Sequence, residues 1–341
     1  MKDTIILDFK KLSMDYPLYK GILKQKIGEI HAVNQVSLQI HRGETLGLVG
    51  ESGCGKTSLG KCVVRLQTPT SGEITYHAAD GTTVDMLHLR GPQVFKMRKK
   101  IQMVFQDPYS AMDPSHSILE AFEEPMKIHG YTDRTQRIAI IEDLFRSVNL
   151  QPEYMWRYPS EFSGGQRQRI CIARALCIDP EIVVLDEPVS ALDVSIQAQV
   201  LNLLKDLQQQ KKLTYLFIAH DLSVVEYMSD RIAVMYLGNI VELARSEALY
   251  QAYAHPYTHA LLSAVPVPIR HRNKKRIVLS GDVPSPAKPP SGCPFHPRCM
   301  HCTDKCRQVK PQLLPLKADP EHFVACHLAE CVCETEKLLV Q

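Results

Sequence analysis

The chain has 341 residues, enough for a sizeable core and for two domains. Apolar residues make up 45% and charged residues 23%, which excludes a disordered or collagen-like chain. Lys plus Arg less Asp plus Glu is 40 − 37 = +3, too balanced for charge to indicate a nucleic-acid partner. No stretch approaches about 18 consecutive apolar residues, so no membrane span is predicted. Met1 to Asp8 lacks signal-peptide architecture, which sets the expectation of a cytosolic chain.

Apolar runs bounded by turn residues predict buried strands at Thr45–Val49, Ile101–Phe105, Ile182–Leu185 and Leu213–Ala219. Helical patterns lie near Ser58–Leu66, Thr135–Val148, Gln166–Leu176 and Ser195–Gln209. This alternation predicts an α/β fold with a mainly parallel sheet covered by helices. The texture changes at about Pro266. Pro266, Pro268, Pro284, Pro286, Pro289 and Pro290 mark a stiff, poorly helical linker. Beyond it lies a Cys-rich tail. Of 11 cysteines, only Cys54, Cys62, Cys171 and Cys177 precede it, and the other seven fall between Cys293 and Cys333. In a cytosolic chain such crowding points to metal or redox chemistry, not to disulfides.

Gly50-Glu51-Ser52-Gly53-Cys54-Gly55-Lys56-Thr57 fits the phosphate-loop pattern Gly-x-x-x-x-Gly-Lys-Ser/Thr. It follows a predicted strand and precedes a predicted helix, the context the pattern needs. Its glycines let the backbone curl so that N–H groups point at phosphate oxygens, where the helix N-terminus adds positive potential. Lys56 would reach the β- and γ-phosphates, and Thr57 would offer its hydroxyl to Mg²⁺. The strand Ile182–Leu185 ends in Asp186-Glu187. Asp186 would hold Mg²⁺ through its water shell, and Glu187 sits where a general base or water-positioning group is needed. An Asp-Glu pair alone would more often be a solvated loop; the first motif raises it.

Ser163-Gly164-Gly165-Gln166-Arg167 lies 23 residues before Asp186 (186 − 163). In this order, with both flanking motifs, it resembles the signature of ABC-transporter ATPase domains. Gln106 resembles the Q-loop glutamine, Ser190-Ala191-Leu192-Asp193 the D-loop, and His220 the switch histidine. The resemblance covers roughly residues 5–265. It implies an ATPase that binds ATP and Mg²⁺, with Glu187, His220 and Gln106 as catalytic residues. The implied nucleotide-binding set is Gly50, Ser52, Gly53, Gly55, Lys56, Thr57, Ser58 and Asp186. Thr57, Asp186 and Gln106 are the implied Mg²⁺ neighbours.

Ser163 and the glycines after it also precede a helix, so a hydroxyl and free N–H groups are offered to an anion. The resemblance implies that Ser163, Gly164, Gly165, Gln166 and Asp193 serve the nucleotide of a second ATPase subunit, two subunits sandwiching two ATP molecules head to tail. A helical subdomain, about 107–178, would receive a transmembrane partner. An aromatic near the N-terminus should stack on adenine. Tyr16 is the candidate, with Tyr19 the alternative and a plain surface tyrosine a further reading; Leu18–Ile30 reads as an insertion.

Three features narrow the family: Phe162-Ser163 at the start of the signature, His255-Pro256-Tyr257-Thr258, and Gly292-Cys293-Pro294-Phe295-His296-Pro297-Arg298-Cys299. Together they resemble the ATPases of oligopeptide/dipeptide (and nickel) importers, closest to the second of their two ATPase subunits. The resemblance implies two membrane permeases, a second ATPase, an extracytoplasmic peptide-binding protein, no nucleic acid, and a peripheral seat on the cytoplasmic face of the inner membrane. Nickel or another small solute is the alternative cargo. A soluble ABC ATPase of DNA repair or translation is the competing class, disfavoured by a single phosphate loop and no long heptad tract. The expected organisation is an ATPase domain over 1–265 and a Pro-rich linker with Cys-rich extension over 266–341.

Cys293-x5-Cys299-x6-Cys306-x19-Cys326 spreads four thiols over 34 residues. In related importer ATPases this spacing resembles the ligand set of a four-iron four-sulfur cluster. Four cysteines suit zinc as well. Cys302 offers another pair with Cys299, Cys331 and Cys333 read as spare, and an unmetallated tail remains open.

Overall fold

The computed structural model describes residues 4–21, 25–265 and 277–329. Pro266, Pro268, Cys331 and Cys333 lie outside them. Strands β1 (Ile5–Lys20) and β2 (Gln25–His41) form a long antiparallel hairpin in which Leu12 faces Val36 and Tyr16 faces Ile30. The described parts of the segment read as an insertion, residues 18–21 and 25–30, lie at the far end of this strand pair. Next come β3 (Thr45–Val49), β4 (Ser71–His77) and β5 (Thr83–Asp85). The sheet β2-β1-β4-β5 is antiparallel throughout. Sequence periodicity missed it because β1 is bulged between Phe9 and Leu12, where Lys11 takes φ 45°. Such a bulge breaks the two-residue alternation of a half-buried strand.

The larger sheet adds β6 (Ile101–Val104), β7 (Ile182–Asp186), β8 (Thr214–Ile218), β9 (Arg231–Tyr236), β10 (Asn239–Arg245), β11 (Leu314–Pro315) and β12 (Phe323–Val324). Its order is β11-β12-β10-β9-β3-β8-β7-β6, parallel from β9 to β6 and antiparallel beyond. Every residue of β3, β7 and β8 is buried, as expected where helices cover both faces of a parallel sheet. The helix after β3 runs Lys56–Val63 and stops where Arg65 enters the left-handed region at φ 56°, earlier than the predicted Leu66.

Between β6 and β7 stand helices Ile118–Ile128, Arg134–Ser147 and Gly164–Leu176. Ser117 caps the first through a reciprocal box with Glu120. Phe122 and Phe145 meet in their core, with ring centroids 5.7 Å apart. A buried pair, Arg137 Nη2 to Glu123 Oε1 at 3.0 Å, ties the first two together. The guanidinium also donates to the Tyr131 and Thr132 carbonyls at 2.8 Å, which supplies the extra bonds a buried charge pair requires.

The tail extends the large sheet. β12 pairs with β10 through Glu242–Val324 and Leu243–Phe323. Beneath that pairing the fully buried Glu242 accepts from the Ala254 and His255 amides at 2.7 and 3.1 Å, with His322 Nε2 2.7 Å from the same carboxylate. Two-residue strands leave no periodicity for sequence reading to find.

Candidate active site

The candidate residues follow the ends of the parallel strands β3, β6, β7 and β8. Gly55 carries φ 108°, and a Cβ there would stand 1.9 Å from the Ala32 carbonyl oxygen. Only glycine permits that approach. Lys56 is 6% exposed, and its Nζ donates to the carbonyls of Gly50 and Glu51 at 2.7 and 3.1 Å. The ammonium thus spans the loop's mouth and holds its arch. Gly53 has φ 77°, so the loop takes two left-handed steps within three residues and presents its amides as a concave nest. Ser52 lies on this arch.

Asp186 ends β7 and is 2% exposed. Thr57 Oγ1 donates to Asp186 Oδ1 at 3.0 Å. Burial, with the neighbouring Glu187 charge, holds the Asp186 carboxyl above the usual carboxylate range; the Thr57 bond and Lys61 and Lys56 act the other way. A buried carboxylate next to a second one, with a hydroxyl at bonding distance, fits a divalent cation, which offsets that charge.

Glu187 adopts φ 47°, a conformation that strains a side chain with a Cβ. Its amide donates to the Ile218 carbonyl at 2.9 Å, which fixes the turn. The turn brings three predicted residues together. Gln106 Nε2 donates to Glu187 Oε2 at 2.8 Å, and His220 Nδ1 lies 3.3 Å from the same oxygen. Gln106 therefore faces Glu187, not the Thr57–Asp186 pair. Glu187, Ser190, His220 and Asp221 line a small pocket of about 50 Å³, room for a few waters.

Tyr16, on β1, donates to Ser58 Oγ at 3.2 Å and to Gln67 Oε1. The adenine candidate is thereby tied to the helix that follows the loop, whereas Tyr19 is 58% exposed further along the hairpin. Ser163 caps the Gly164–Leu176 helix. Its Oγ accepts from the Gln166 amide at 3.4 Å, and Gln166 Oε1 accepts from the Ser163 amide at 3.0 Å. At Gly165 a Cβ would meet Ile196 Cγ2 at 2.6 Å, so the glycine lets this turn lie against the helix that Asp193 precedes. Among the described residues, no hydrogen bond or ion pair joins residues 163–166 to residues 50–57. Within one chain these two turns are not bonded to each other.

Residues 33–190 match the ABC transporter family, and residues 241–306 match the oligopeptide/dipeptide transporter C-terminal region. The oligopeptide transport ATP-binding protein AppF of Bacillus subtilis is 48% identical over 325 residues, covering 95% of this chain and 97% of its own. The chain belongs to the oligopeptide/dipeptide family of ABC-transporter ATP-binding proteins. Two solved structures align with this ABC ATPase. The dimeric, post-hydrolysis ATP-binding cassette MJ0796, bound to ADP and Pi, matches with TM-score 0.61 and 27% identity, over 71% of this chain and 99% of that one. The cbiO1 subunit of Clostridium perfringens shares the fold at TM-score 0.60 and 23% identity, over 73% and 92%. An ABC ATPase binds and hydrolyses Mg²⁺-ATP.

Cys293, Cys299, Cys306 and Cys326 of the tail lie near one another. Burial first, then the Cys293, Cys299 and Cys306 thiols, push Cys326 up to about 12. Burial pushes Cys293 up to about 11. Backbone amides point at the sulfurs: Phe295 and His296 at Cys293, His301 at Cys299, and Leu328 at Cys326. Among the described residues no three thiols lie within 4.8 Å of one another. A tetrahedral zinc ion with Zn–S of about 2.3 Å would need sulfurs about 3.8 Å apart.

Sequence reading missed the residues that fasten the tail to the loop. Phe295 packs on Tyr236 and Tyr257 with ring centroids 5.3 and 5.4 Å away, and on His255 at 5.6 Å. Arg298 reaches Glu51. The His255–Thr258 and Gly292–Cys299 motifs were visible in the sequence, but nothing there showed that they touch.

Proposed function

We propose that this chain is the ATP-hydrolysing subunit of an inward transporter for di- and oligopeptides. It would sit on the cytoplasmic face of the membrane against two permease subunits, paired with a second ATPase and served by an extracytoplasmic peptide-binding protein. The observation that carries the chemistry is Glu187, held at φ 47° with its carboxylate on both Gln106 and His220. In this reading the loop amides and Lys56 bind the β- and γ-phosphates. Thr57 and Asp186 hold Mg²⁺, which offsets phosphate charge when bound. Glu187 takes the proton of the attacking water, and His220 and Gln106 orient it. Tyr16 stacks on adenine. Ser163 to Gln166, with Asp193, complete the site of the partner ATPase. The peptide cargo rests on the match of residues 241–306 and on AppF.

The four thiols Cys293, Cys299, Cys306 and Cys326 favour a four-iron four-sulfur cluster over zinc. Their spread exceeds what one ion spans, and amides aimed at sulfur suit thiolate ligands. Such a cluster would cross-link a tail that has little core of its own. Iron and acid-labile sulfide in anaerobically purified protein support it; one zinc per chain without sulfide overturns it.

The function is tested in vesicles holding the permeases and both ATPases. ATP-driven uptake of a labelled tripeptide is expected. Glu187→Gln should lower turnover by at least about 100-fold, the scale of a lost general base, while still binding ATP. Nickel uptake without peptide uptake would move the cargo assignment, and full hydrolysis by Glu187→Gln would remove that residue from its role.

A further inference from the structure

We propose that Arg298, from the tail, is a positioning residue for ATP: it pairs with Glu51 and turns that carboxylate aside, so that its charge neither opposes the phosphates nor competes for Lys56. The inference rests on reading residues 50–57 as the phosphate site. Residue 51 is pinned at each of its polar groups. Its amide donates to the Tyr257 hydroxyl at 2.8 Å. Its carbonyl accepts from Lys56 at 3.1 Å. Its carboxylate takes a bidentate bond from Arg298, Nη1 to Oε2 at 2.7 Å and Nη2 to Oε1 at 3.2 Å.

The last contact is the unusual one. A carboxylate within a phosphate loop has the same sign as the ligand, so its charge opposes binding unless it is neutralised and turned aside. A planar guanidinium with two parallel donors does both, as a lysine could not. The arrangement is built: the Arg298 side chain is 8% exposed, and Phe295, three residues earlier, is 1% exposed in its aromatic nest. Arg298 also lies beside the Tyr236 hydroxyl. Without Arg298, the Glu51 carboxylate is left unpaired close to Lys56, the ammonium that should answer to phosphate. That competition weakens ATP binding directly.

The test is a double-mutant cycle in the full chain, read by equilibrium binding of a fluorescent ATP analogue and by KM and kcat. Arg298→Ala is expected to raise Kd and KM about tenfold, within the range of strongly coupled pairs, with a smaller fall in kcat. Arg298→Lys should recover part of this. Glu51→Gln, which removes the charge but keeps a hydrogen bond to the guanidinium, should raise Kd less than Arg298→Ala does. The double variant should bind nearly as well as Glu51→Gln, because the unpaired charge is gone. A purely structural role for Arg298 would leave the double variant as weak as Arg298→Ala. That result, or unchanged affinity in Arg298→Ala, overturns the proposal. Lys56→Ala serves as the reference: if it still binds the analogue normally, the reading of the loop fails and not the role of Arg298 alone.

Discussion

Replacing Glu242 by alanine removes an acceptor shared by three donors: the Ala254 and His255 amides and the His322 imidazole. The site is fully buried, so water cannot readily substitute. Each buried donor left unpaired costs about 1–3 kcal/mol. The three share one group and relax together, so the loss is expected at about 3–5 kcal/mol, a large part of a typical 5–15 kcal/mol stability. Glu242→Gln is the informative comparison. Its carbonyl oxygen can replace Oε1, keeping the Ala254 amide and His322 at their 2.7 Å contacts. Its amide nitrogen then faces the His255 N–H, so one bond is lost, about 1–3 kcal/mol. The assay is native-state hydrogen exchange, followed at the Ala325 amide, which bonds the Val241 carbonyl at 2.8 Å across the β10–β12 seam. A loss of about 3 kcal/mol speeds exchange there by more than about 100-fold. Exchange within about threefold of the parent in Glu242→Ala, or a larger effect from glutamine than from alanine, would refute the reasoning.

Two other consequences are open to measurement. Burial holds His255 down to about 4, with Glu242 pulling it back up, while its Nδ1 accepts from the Tyr257 amide at 3.1 Å. The unfolded chain therefore takes up this proton first, and stability falls as pH drops from about 6.5 towards 4, by up to about 3 kcal/mol. His255→Asn, which can still cap the helix but does not titrate, should flatten that slope in thermal unfolding; an unchanged slope would exclude His255 as its source. Within the phosphate loop, Gly55→Ala drives a Cβ to 1.9 Å from the Ala32 carbonyl, whereas Gly53→Ala meets nothing within 4 Å. Gly55→Ala should abolish nucleotide binding and lower the melting temperature. Gly53→Ala should cost only about 1–2 kcal/mol of backbone strain, and equal effects from the two would contradict the packing argument.

The candidate site was legible because its residues follow short, uniformly apolar strands. β3 and β7 announce themselves as runs of buried residues, and Lys56, Thr57, Asp186 and Glu187 follow at fixed offsets. His220 and Gln106 came from motif order, and the structure joins both to Glu187. The antiparallel sheet was not legible, since the bulge at Lys11 hides the alternation of β1. Nor was the docking of the tail. Phe295, Arg298 and His322 make contacts with residues far behind them in the chain, and a local pattern carries no trace of its distant partner. The motif around Cys293 suggested a metal, while its Arg298 pairs with Glu51, 247 residues earlier.

Glu51 and Arg298 are 247 residues apart in sequence. At ribosomal speeds of about 5–20 residues per second, roughly 12–50 s pass between the making of one and of the other. During that interval the phosphate loop and its sheet can form, yet residue 51 has no guanidinium to hold it. With Arg298 as the clamp, tight ATP binding comes only after residue 298 has been made and not with the loop itself. A nascent or truncated chain would then compete poorly for nucleotide, and engagement of ATP would mark a subunit whose tail has already been made and docked.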